Sequence, residues 1–411
     1  MNDQTKQYAG ILSIPVLVAA LGYFVDIYDL LLFGIIRVPS LKDMGLDDAA
    51  VLSVGEKIIS YQMYGLLLGG IIWGILGDKK GRLSVLFGSI FIYSVGNIAN
   101  GFITTTDQYA WVRFIAGIGL AGELGAGITL VSELTTKEKR GLATSMVAGL
   151  GLTGAIFAFF IKENFDWRTC YFIGGGMGLL LLLLRISVFE SGLFHAIKNS
   201  EVSKGNIFML ITNAERFKKY FFSILIGLPT WYVVGILVTF SKEFATQFKI
   251  VDTIDAGKAI MYAYIGISIG GIVVGFVSQW LKSRIKALRL FYAMTIICIV
   301  LFFTILYNSN AERLYMICAA LGFATGFWSI FVTIGAEQFG TNLRATAATT
   351  IPNMVRGTLP LIILLFQYLR TATDSYTTGA WITGAIIMSI TVAASFGIKE
   401  TFNKDLNFLE I

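Results

Sequence analysis

The feature that most constrains this chain is a series of apolar stretches, each about as long as a bilayer is thick. A helix needs roughly 20 apolar residues to cross the hydrocarbon core. Runs of that length recur along the whole sequence, and we place candidate spans at residues 11–36, 58–77, 84–103, 108–131, 142–161, 168–188, 220–240, 259–281, 288–307, 313–336, 346–369 and 378–398. The sequence therefore predicts an all-α membrane protein with twelve transmembrane helices.

The composition leaves little room for any other class of protein. Of the 411 residues, 55% are apolar and 14% are charged, which is too few polar residues to cover a soluble domain of this size. The longest loop, 189–219, is shorter than most independently folding domains. The net charge of +6 comes from short basic runs beside the spans, with no aromatic-interleaved basic surface, so we expect no nucleic-acid partner.

The chain has almost no residues that could support metal-dependent or nucleophilic catalysis. Cys170, Cys298 and Cys318 all fall in apolar segments without a shared spacing, and we interpret them as small buried hydrophobic residues. The single histidine, His195, lies in the middle loop, where we expect it to be solvated. We expect no metal and no cofactor, and the chain is not expected to be an enzyme.

The distribution of basic residues predicts the orientation in the membrane. With the N-terminus inside, the cytoplasmic loops hold 19 Lys and Arg residues against 10 in the opposite loops. Both termini and the middle loop are therefore predicted to be cytoplasmic. The first apolar stretch is too long for a signal-peptide core, so we interpret it as a retained span. We expect Arg37 and Arg185, near span edges, to be anchors that reach the membrane interface.

An internal repeat divides the chain into two halves. SELTTKEKRGLATS after the fourth span places Glu133 seven residues before Arg140, and AEQFGTNLRATAAT after the tenth places Glu337 seven residues before Arg344. The two glutamates are 204 residues apart, and so are the two arginines. The segments GILGDKKGR and GFVSQWLKSR repeat at an offset of about 201 residues. We predict a six-helix half at 1–188, a cytoplasmic linker at 189–219 and a second six-helix half at 220–411.

The loop GILGDKKGRLSVL, at residues 74–86, resembles the cytoplasmic motif of the major facilitator superfamily. Gly77 and Gly81 permit a tight turn, and Asp78 can cap a helix and pair with basic residues across the interface between the halves. Two further segments are similar to family patterns: Arg113 with Gly117 and Gly119 in the fourth span, and Asp166-Trp167-Arg168 at the start of the sixth. The resemblance implies two pseudo-symmetric halves that alternate their access. It also implies a conformational latch formed by Gly77, Asp78, Gly81, Arg82, Glu133, Arg140, Glu337 and Arg344.

Two departures from the family pattern affect what the resemblance implies. The second half has Gln279 where the first has Asp78, so the charges at the interface are unequal. The fifth span also lacks the Gly-Pro element associated with antiporters, which favours uptake.

Four charged residues in the first half are candidates for proton coupling, because ionisable groups within a bilayer are costly. Asp26 and Asp29 are three residues apart and share one helix face. Burial favours the protonated form of such an aspartate, whereas a nearby cation favours the ionised form. By helix rise, Asp29 and Arg113 lie at similar depths, so we predict that they pair, and a permanent structural ion pair is the alternative to a role in proton coupling. Glu123, among small residues in the fourth span, is either a second protonatable group, a ligand for an amine, or a packing-face carboxylate.

Arg356 is the strongest substrate-binding candidate in the second half. It lies about 18 Å into its span, beside Asn353 and near two prolines, and broken spans are tolerated where they line a cavity. A buried guanidinium favours a carboxylate or phosphate ligand, although pairing with a carboxylate from another span is the alternative. Aromatic residues complete the predicted substrate site: Tyr23 on the first span, and Trp231, Tyr232 and Trp328 in the second half. Lipid-facing or interfacial positions are the alternative for the tryptophans.

The first span, GYFVDIYDLLLFGIIRVPSL, resembles the phagosomal transporter group of the superfamily, which occurs in intracellular bacteria. That resemblance implies proton-coupled uptake of an amino acid across the bacterial inner membrane by a monomer. The partners are then the small solute, protons and the lipid bilayer. The same Asp-x-Tyr-Asp element also resembles that of proton-coupled phosphate and organic-acid carriers. Uptake of phosphate, an organic acid or a sugar therefore stays open, as does drug efflux.

Overall fold

The computed structural model describes residues 14–80, 82–123, 125, 127, 131, 147–189 and 208–404. These residues form helices joined by short links, and no strand occurs among them. Within these described ranges, ten helices are long and apolar enough to cross a membrane. Two further helices, Arg82–Asn100 and Thr106–Leu120, occupy the positions of the predicted third and fourth spans. The predicted all-α membrane fold is confirmed.

We number the spans 1 to 12 in chain order. Spans 1 to 6 contain Ile14–Asp43, Asp48–Lys80, Arg82–Asn100, Thr106–Leu120, Gly154–Asn164 and Trp167–Phe189. A short helix, Phe208–Thr212, precedes span 7, which contains Ala214–Leu225, Leu228–Tyr232 and a π-helical turn at Val233–Val238. Ser241–Gln247 follows it. Spans 8 to 12 contain Ala256–Trp280, Arg284–Ile305, Ala311–Thr325 with Trp328–Glu337, Thr341–Gly357 with Leu359–Ala372, and Tyr376–Ser395.

The link between spans 1 and 2 is much shorter than predicted. Span 1 continues to Asp43 and span 2 begins at Asp48, although the apolar pattern predicts an end at 36 and a start at 58. Hydropathy identifies only the part of a helix that lies in the hydrocarbon core of the membrane. The hydrogen-bonded backbone of the helix can continue beyond it into polar surroundings. The polar residues near this link therefore lie on ordered helices.

Side-chain caps fix where several spans begin. Thr105 and Gln108 form a reciprocal capping box at the start of span 4. Asp255, Ser283 and Ser375 accept hydrogen bonds from the first turns of spans 8, 9 and 12. These caps satisfy backbone N–H groups that have no partner within the helix.

Glycines set equivalent helix contacts in the two halves. A Cβ atom on Gly65 of span 2 would lie 2.1 Å from the carbonyl oxygen of Phe114 on span 4. A Cβ atom on Gly266 of span 8 would lie 2.0 Å from the carbonyl oxygen of Ala319 on span 10. Only glycine permits such close approach of two helix backbones. The two glycines are 201 residues apart, so the repeat in the sequence has a counterpart in the packing.

Candidate transport site

The centre of the bundle holds an ion pair between the two halves. Asp26 of span 1 and Arg356 of span 11 are almost fully buried, and Nη2 of the arginine lies 3.8 Å from Oδ2 of the aspartate. Neither oxygen of Asp26 has a hydrogen-bond partner, while Nη1 of Arg356 donates to Asn353 Oδ1 at 3.3 Å. Asp26 lies in the first half of the chain, whereas Arg356 lies in the second. The alternative, a carboxylate from another span, is the arrangement in the structure.

A small cavity borders Arg356. Its volume is about 10 Å³, the space that one water molecule needs. The cavity is therefore closed around at most a water in this conformation. Its walls come from both halves: Tyr23, Ile27, Leu30, Leu152, Thr230, Trp231, Tyr264, Ile267, Trp328 and Arg356.

Aromatic rings make up much of this wall. Trp231 and Trp328 meet edge to face, with ring centroids 6.4 Å apart and an interplanar angle of 80°. Both tryptophans are buried, so the lipid-facing alternative does not hold for them. Trp231 also borders a second cavity of about 20 Å³, which reaches Thr239 and Gln62. Tyr232 lies apart from the cavity beside Arg356, since its hydroxyl donates to the Ala380 carbonyl of span 12 at 2.7 Å.

The helix breaks that the sequence indicates lie next to these residues. Pro229 opens the short helix Leu228–Tyr232, which passes into the π-helical turn. A π-turn leaves one backbone group without its usual partner and is frequent at functional sites. In span 11, Arg356 is the second-last residue of the helix Thr341–Gly357, and the next helix begins at Leu359 after the single residue Thr358.

Asp29 and Arg113 form a second buried ion pair, as predicted. Nη1 of Arg113 donates to Asp29 Oδ1 at 2.8 Å, and Nη2 donates to the Asp29 carbonyl at 2.9 Å. Nη1 also reaches Asn97 Oδ1 at 3.2 Å, and Nε reaches Gln62 Oε1 at 3.3 Å. All members belong to the first half. Glu123 is also buried but does not border the cavity beside Arg356.

Ion pairs join the halves at the face where spans 1 and 2 are linked, which we call the outer face. Arg37 Nη2 of span 1 contacts both carboxylate oxygens of Glu243, at 2.8 and 3.1 Å. The expectation that Arg37 reaches the membrane interface is wrong: its side chain is fully buried in the bundle. Glu56 of span 2 accepts from Arg370 of span 11 at 2.8 Å. The outer face is closed in this conformation.

The opposite end of the bundle, the inner face, is closed by span 11. A Cβ atom on Gly70 of span 2 would lie 2.7 Å from the Asn353 Cβ atom, and one on Gly74 would meet Thr350 at 3.1 Å. Asn353 Nδ2 also donates to the Ala121 carbonyl of span 4 at 2.7 Å. Among the described residues, the two halves are thus in contact on both sides of the Asp26–Arg356 pair.

Few of the predicted latch residues can be placed. Glu337 pairs with Arg284 through two hydrogen bonds of 2.8 and 2.9 Å, and both residues belong to the second half. Gly77 lies in the span 2 helix. The residues Gly81, Glu133 and Arg140, and the side chains of Asp78, Arg82, Arg344 and Arg185, lie outside the described part. His195 also lies outside it.

The cysteines agree with the interpretation as packing residues. Cys170 and Cys318 are buried, Cys298 is partly buried, and all three are free thiols. Among the described residues, no cluster of three or more metal-binding side chains is present.

Comparison with known proteins identifies the family. A sequence profile of the Major Facilitator Superfamily matches residues 19–363. The chain belongs to this superfamily. The solved structure of the superfamily transporter FucP in its outward conformation superposes with a TM-score of 0.69 over 94% of this chain and 99% of that one, at 14% identity. The fold of the chain is thus that of a superfamily transporter, and the chain is a multi-pass membrane transporter rather than an enzyme.

Curated relatives include carriers of organic acids. A putative metabolite transport protein of Haemophilus influenzae is 26% identical over 82% of this chain and 84% of its own length. The gentisate transporter of Corynebacterium glutamicum is 24% identical over 78% and 73%. A 4-hydroxybenzoate transporter of Pseudomonas putida is 31% identical over 46% of this chain and 42% of its own.

Sequence reasoning missed several residues that the structure places at the interface or the cavity. Glu56, Glu243 and Arg370 lie just outside the predicted spans 58–77, 220–240 and 346–369, so hydropathy does not mark them as buried. Thr230 and Tyr264 line the cavity but carry no charge to mark them in an apolar helix. Helices extended beyond the apolar stretches would have placed Glu56 on span 2, but its burial depends on the contact with Arg370 of the other half.

Proposed function

We propose that this chain is a proton-coupled carrier that takes up a small aromatic carboxylate. The observation that carries the proposal is the buried Asp26–Arg356 pair, which joins the halves beside an aromatic cavity. Arg356 binds the substrate carboxylate, and Tyr23, Trp231 and Trp328 contact its ring. Apolar pockets with a few charged or polar groups are typical small-molecule sites.

The geometry of the pair supports exchange of partners. At 3.8 Å and without a direct hydrogen bond, Asp26 holds Arg356 loosely. A substrate carboxylate can accept two parallel hydrogen bonds from a guanidinium, which is a stronger arrangement. Binding of the substrate therefore releases Asp26 from its cation.

Release of Asp26 couples the substrate to a proton. A carboxylate in an apolar interior without a cation is very costly, and such groups become neutral by binding a proton. Asp26 is fully buried, so it takes up one proton when the substrate anion occupies Arg356. One anion and one proton then move together without net charge. Departure of the substrate restores the pair and expels the proton.

Asp29, Arg113 and Glu123 are less suited to this step. Arg113 holds Asp29 through side-chain and backbone hydrogen bonds, with further bonds to Asn97 and Gln62. We assign that cluster to the stability of the first half rather than to proton transfer. Glu123 does not border the cavity beside Arg356.

The organic-acid alternative is better supported than the amino acid that the sequence analysis placed first. An amino acid needs an anionic partner for its ammonium group across the cavity from Arg356. Neither Asp26 nor Glu123 borders the cavity, and Asp26 faces Arg356 itself. The gentisate transporter and the 4-hydroxybenzoate transporter among the relatives point in the same direction.

We further propose an inner-membrane location with both termini in the cytoplasm, supported by the loop charges and by the bacterial relatives. A monomer suffices, because one chain supplies both walls of the cavity.

Uptake by proteoliposomes tests the function. Wild-type protein is expected to accumulate radiolabelled 4-hydroxybenzoate when the lumen is more alkaline, and Arg356→Ala is expected to lose this uptake. Arg289→Ala is the matched control, since Arg289 contacts Ser395 at the edge of the bundle. The proposal is wrong if Arg356→Ala accumulates the acid at the wild-type rate, or if the wild type takes up amino acids and ignores aromatic acids.

A further inference from the structure

Besides Arg356, the cavity wall carries polar groups that the proposed chemistry does not use. The hydroxyl group of Thr230 and the indole Nε1 of Trp231 have no hydrogen-bond partner in the protein, and the Tyr23 hydroxyl, which faces Arg356 and Trp328, makes no hydrogen bond of standard geometry. Each of the three residues is at least 95% buried. Buried polar groups are nearly always paired, so three that lack a standard hydrogen bond around a single cavity need an explanation.

Thr230 is the most informative of the three. A buried threonine in a helix usually donates to the carbonyl group one turn earlier, as Thr383 does to Gly379 at 2.8 Å. Thr230 lies between Pro229 and Trp231, just after the break in span 7, and makes no such bond. Its hydroxyl is therefore available to a ligand on the span 7 wall of the cavity, whereas span 11 supplies the guanidinium.

We propose that the span 7 wall, formed by Thr230 and Trp231, recognises a hydrogen-bond-accepting group on the substrate ring, such as a hydroxyl group or a ring nitrogen. The proposal rests on the proposed function, because it assumes that Arg356 holds the carboxylate. Trp231 can only donate, whereas Thr230 and Tyr23 can donate or accept. A hydroxyl group on the substrate ring can accept a hydrogen bond from Trp231 and can either donate to or accept from Thr230 and Tyr23. A ring nitrogen can only accept hydrogen bonds from these side chains.

Specificity follows from the cost of leaving these groups unpaired. A site built to hydrogen-bond a substrate group discriminates against an analogue that lacks it, because the buried groups stay unsatisfied. Unsubstituted benzoate would fill the aromatic walls but leave Thr230 and Trp231 without partners. The carrier should therefore prefer hydroxybenzoates and nicotinate to benzoate.

Calorimetric binding to the purified full-length protein tests this preference. The probes are benzoate, its three monohydroxy isomers and nicotinate. We expect wild-type protein to bind at least one polar-ring acid about 10-fold more tightly than benzoate, and Thr230→Val to reduce that ratio to about 2-fold or less. Trp231→Phe removes the second donor and should reduce the ratio independently. Thr383→Val, a buried substitution of the same kind outside the cavity, should keep the wild-type ratio.

The outcomes separate the two proposals. If the wild type binds benzoate and every polar-ring acid equally well, or if Thr230→Val and Trp231→Phe both keep the wild-type ratio, this inference is wrong and the proposed function stands. If the wild type binds no aromatic carboxylate at all, the proposed function and the inference both fall.

Discussion

Loss of the Arg37–Glu243 pair should open the outer face. Arg37 is fully buried in span 1, and its Nη2 atom donates to both carboxylate oxygens of Glu243 in the other half. Glu243→Ala removes the carboxylate that accepts hydrogen bonds from the buried Arg37 guanidinium, and this contact exists only while the outer face is closed. The free-energy cost therefore counts against the closed state alone.

The magnitude can be worked from the contacts that remain. Truncating one partner of a buried hydrogen-bonded charge pair costs about 2–5 kcal/mol. Arg37 keeps its contacts with the Thr239 carbonyl at 3.3 Å and with the Phe240 ring at 4.8 Å, and the Glu243 side chain is 18% exposed. We therefore take the lower end, about 2–3 kcal/mol. That energy shifts the equilibrium by about 30- to 150-fold toward the outward-open state.

Pulsed electron spin resonance measures this shift. Spin labels at Ser53 and Gln247, which are exposed on opposite halves of the outer face, report its opening once the three native cysteines are replaced. Glu243→Ala should add a population at longer distance. Asp107→Ala is the control, because the Lys57–Asp107 pair is exposed and lies within the first half. Identical distance distributions for Glu243→Ala and the wild type would refute the reasoning.

Three further perturbations test other parts of the account. Asp29→Asn leaves Arg113 buried without its anion, so thermal unfolding should show a loss of about 3–5 kcal/mol, and an unchanged melting temperature would contradict the assignment. Gly154→Ala places a Cβ atom 2.1 Å from a backbone oxygen of span 1 and should lower the melting temperature, whereas Gly176→Ala, with no atom within 4 Å, should not. Burial raises the pKa of Glu400, but hydrogen bonds from a serine hydroxyl and backbone N–H groups outweigh it and lower the pKa overall. Its stabilisation is therefore present above the ordinary glutamate range and lost as the pH falls through the lowered pKa, so Glu400→Gln should be less stable than the wild type at pH 7 and equal to it in acid. A difference that persists unchanged in acid would count against this.

The sequence predicted the architecture well because the bilayer imposes a length on each helix. It also predicted the Asp29–Arg113 pair, since both residues lie in one half and helix rise gives their depths. It left Arg356 without a partner because Asp26 comes from the other half, and sequence carries no direct record of that contact.

Hydropathy failed where helices extend beyond the apolar core. Arg37 was expected at the membrane interface and Glu56 in a loop, yet both are buried in contacts between the halves. A charge near a span edge can face lipid headgroups or a neighbouring helix, and only tertiary packing decides between them. Thr230 was missed for another reason: an uncharged residue in an apolar run gives no signal of its unpaired hydroxyl.

The coupling of Asp26 protonation to anion binding at Arg356 is the central claim, and one pair of transport assays tests it most directly. In proteoliposomes, Asp26→Asn should exchange labelled for unlabelled 4-hydroxybenzoate, because Arg356 still binds the carboxylate. The same variant should fail to accumulate the acid against its gradient when a pH gradient is applied, because residue 26 can no longer carry the proton. Accumulation by Asp26→Asn at the wild-type level under that pH gradient would contradict the account.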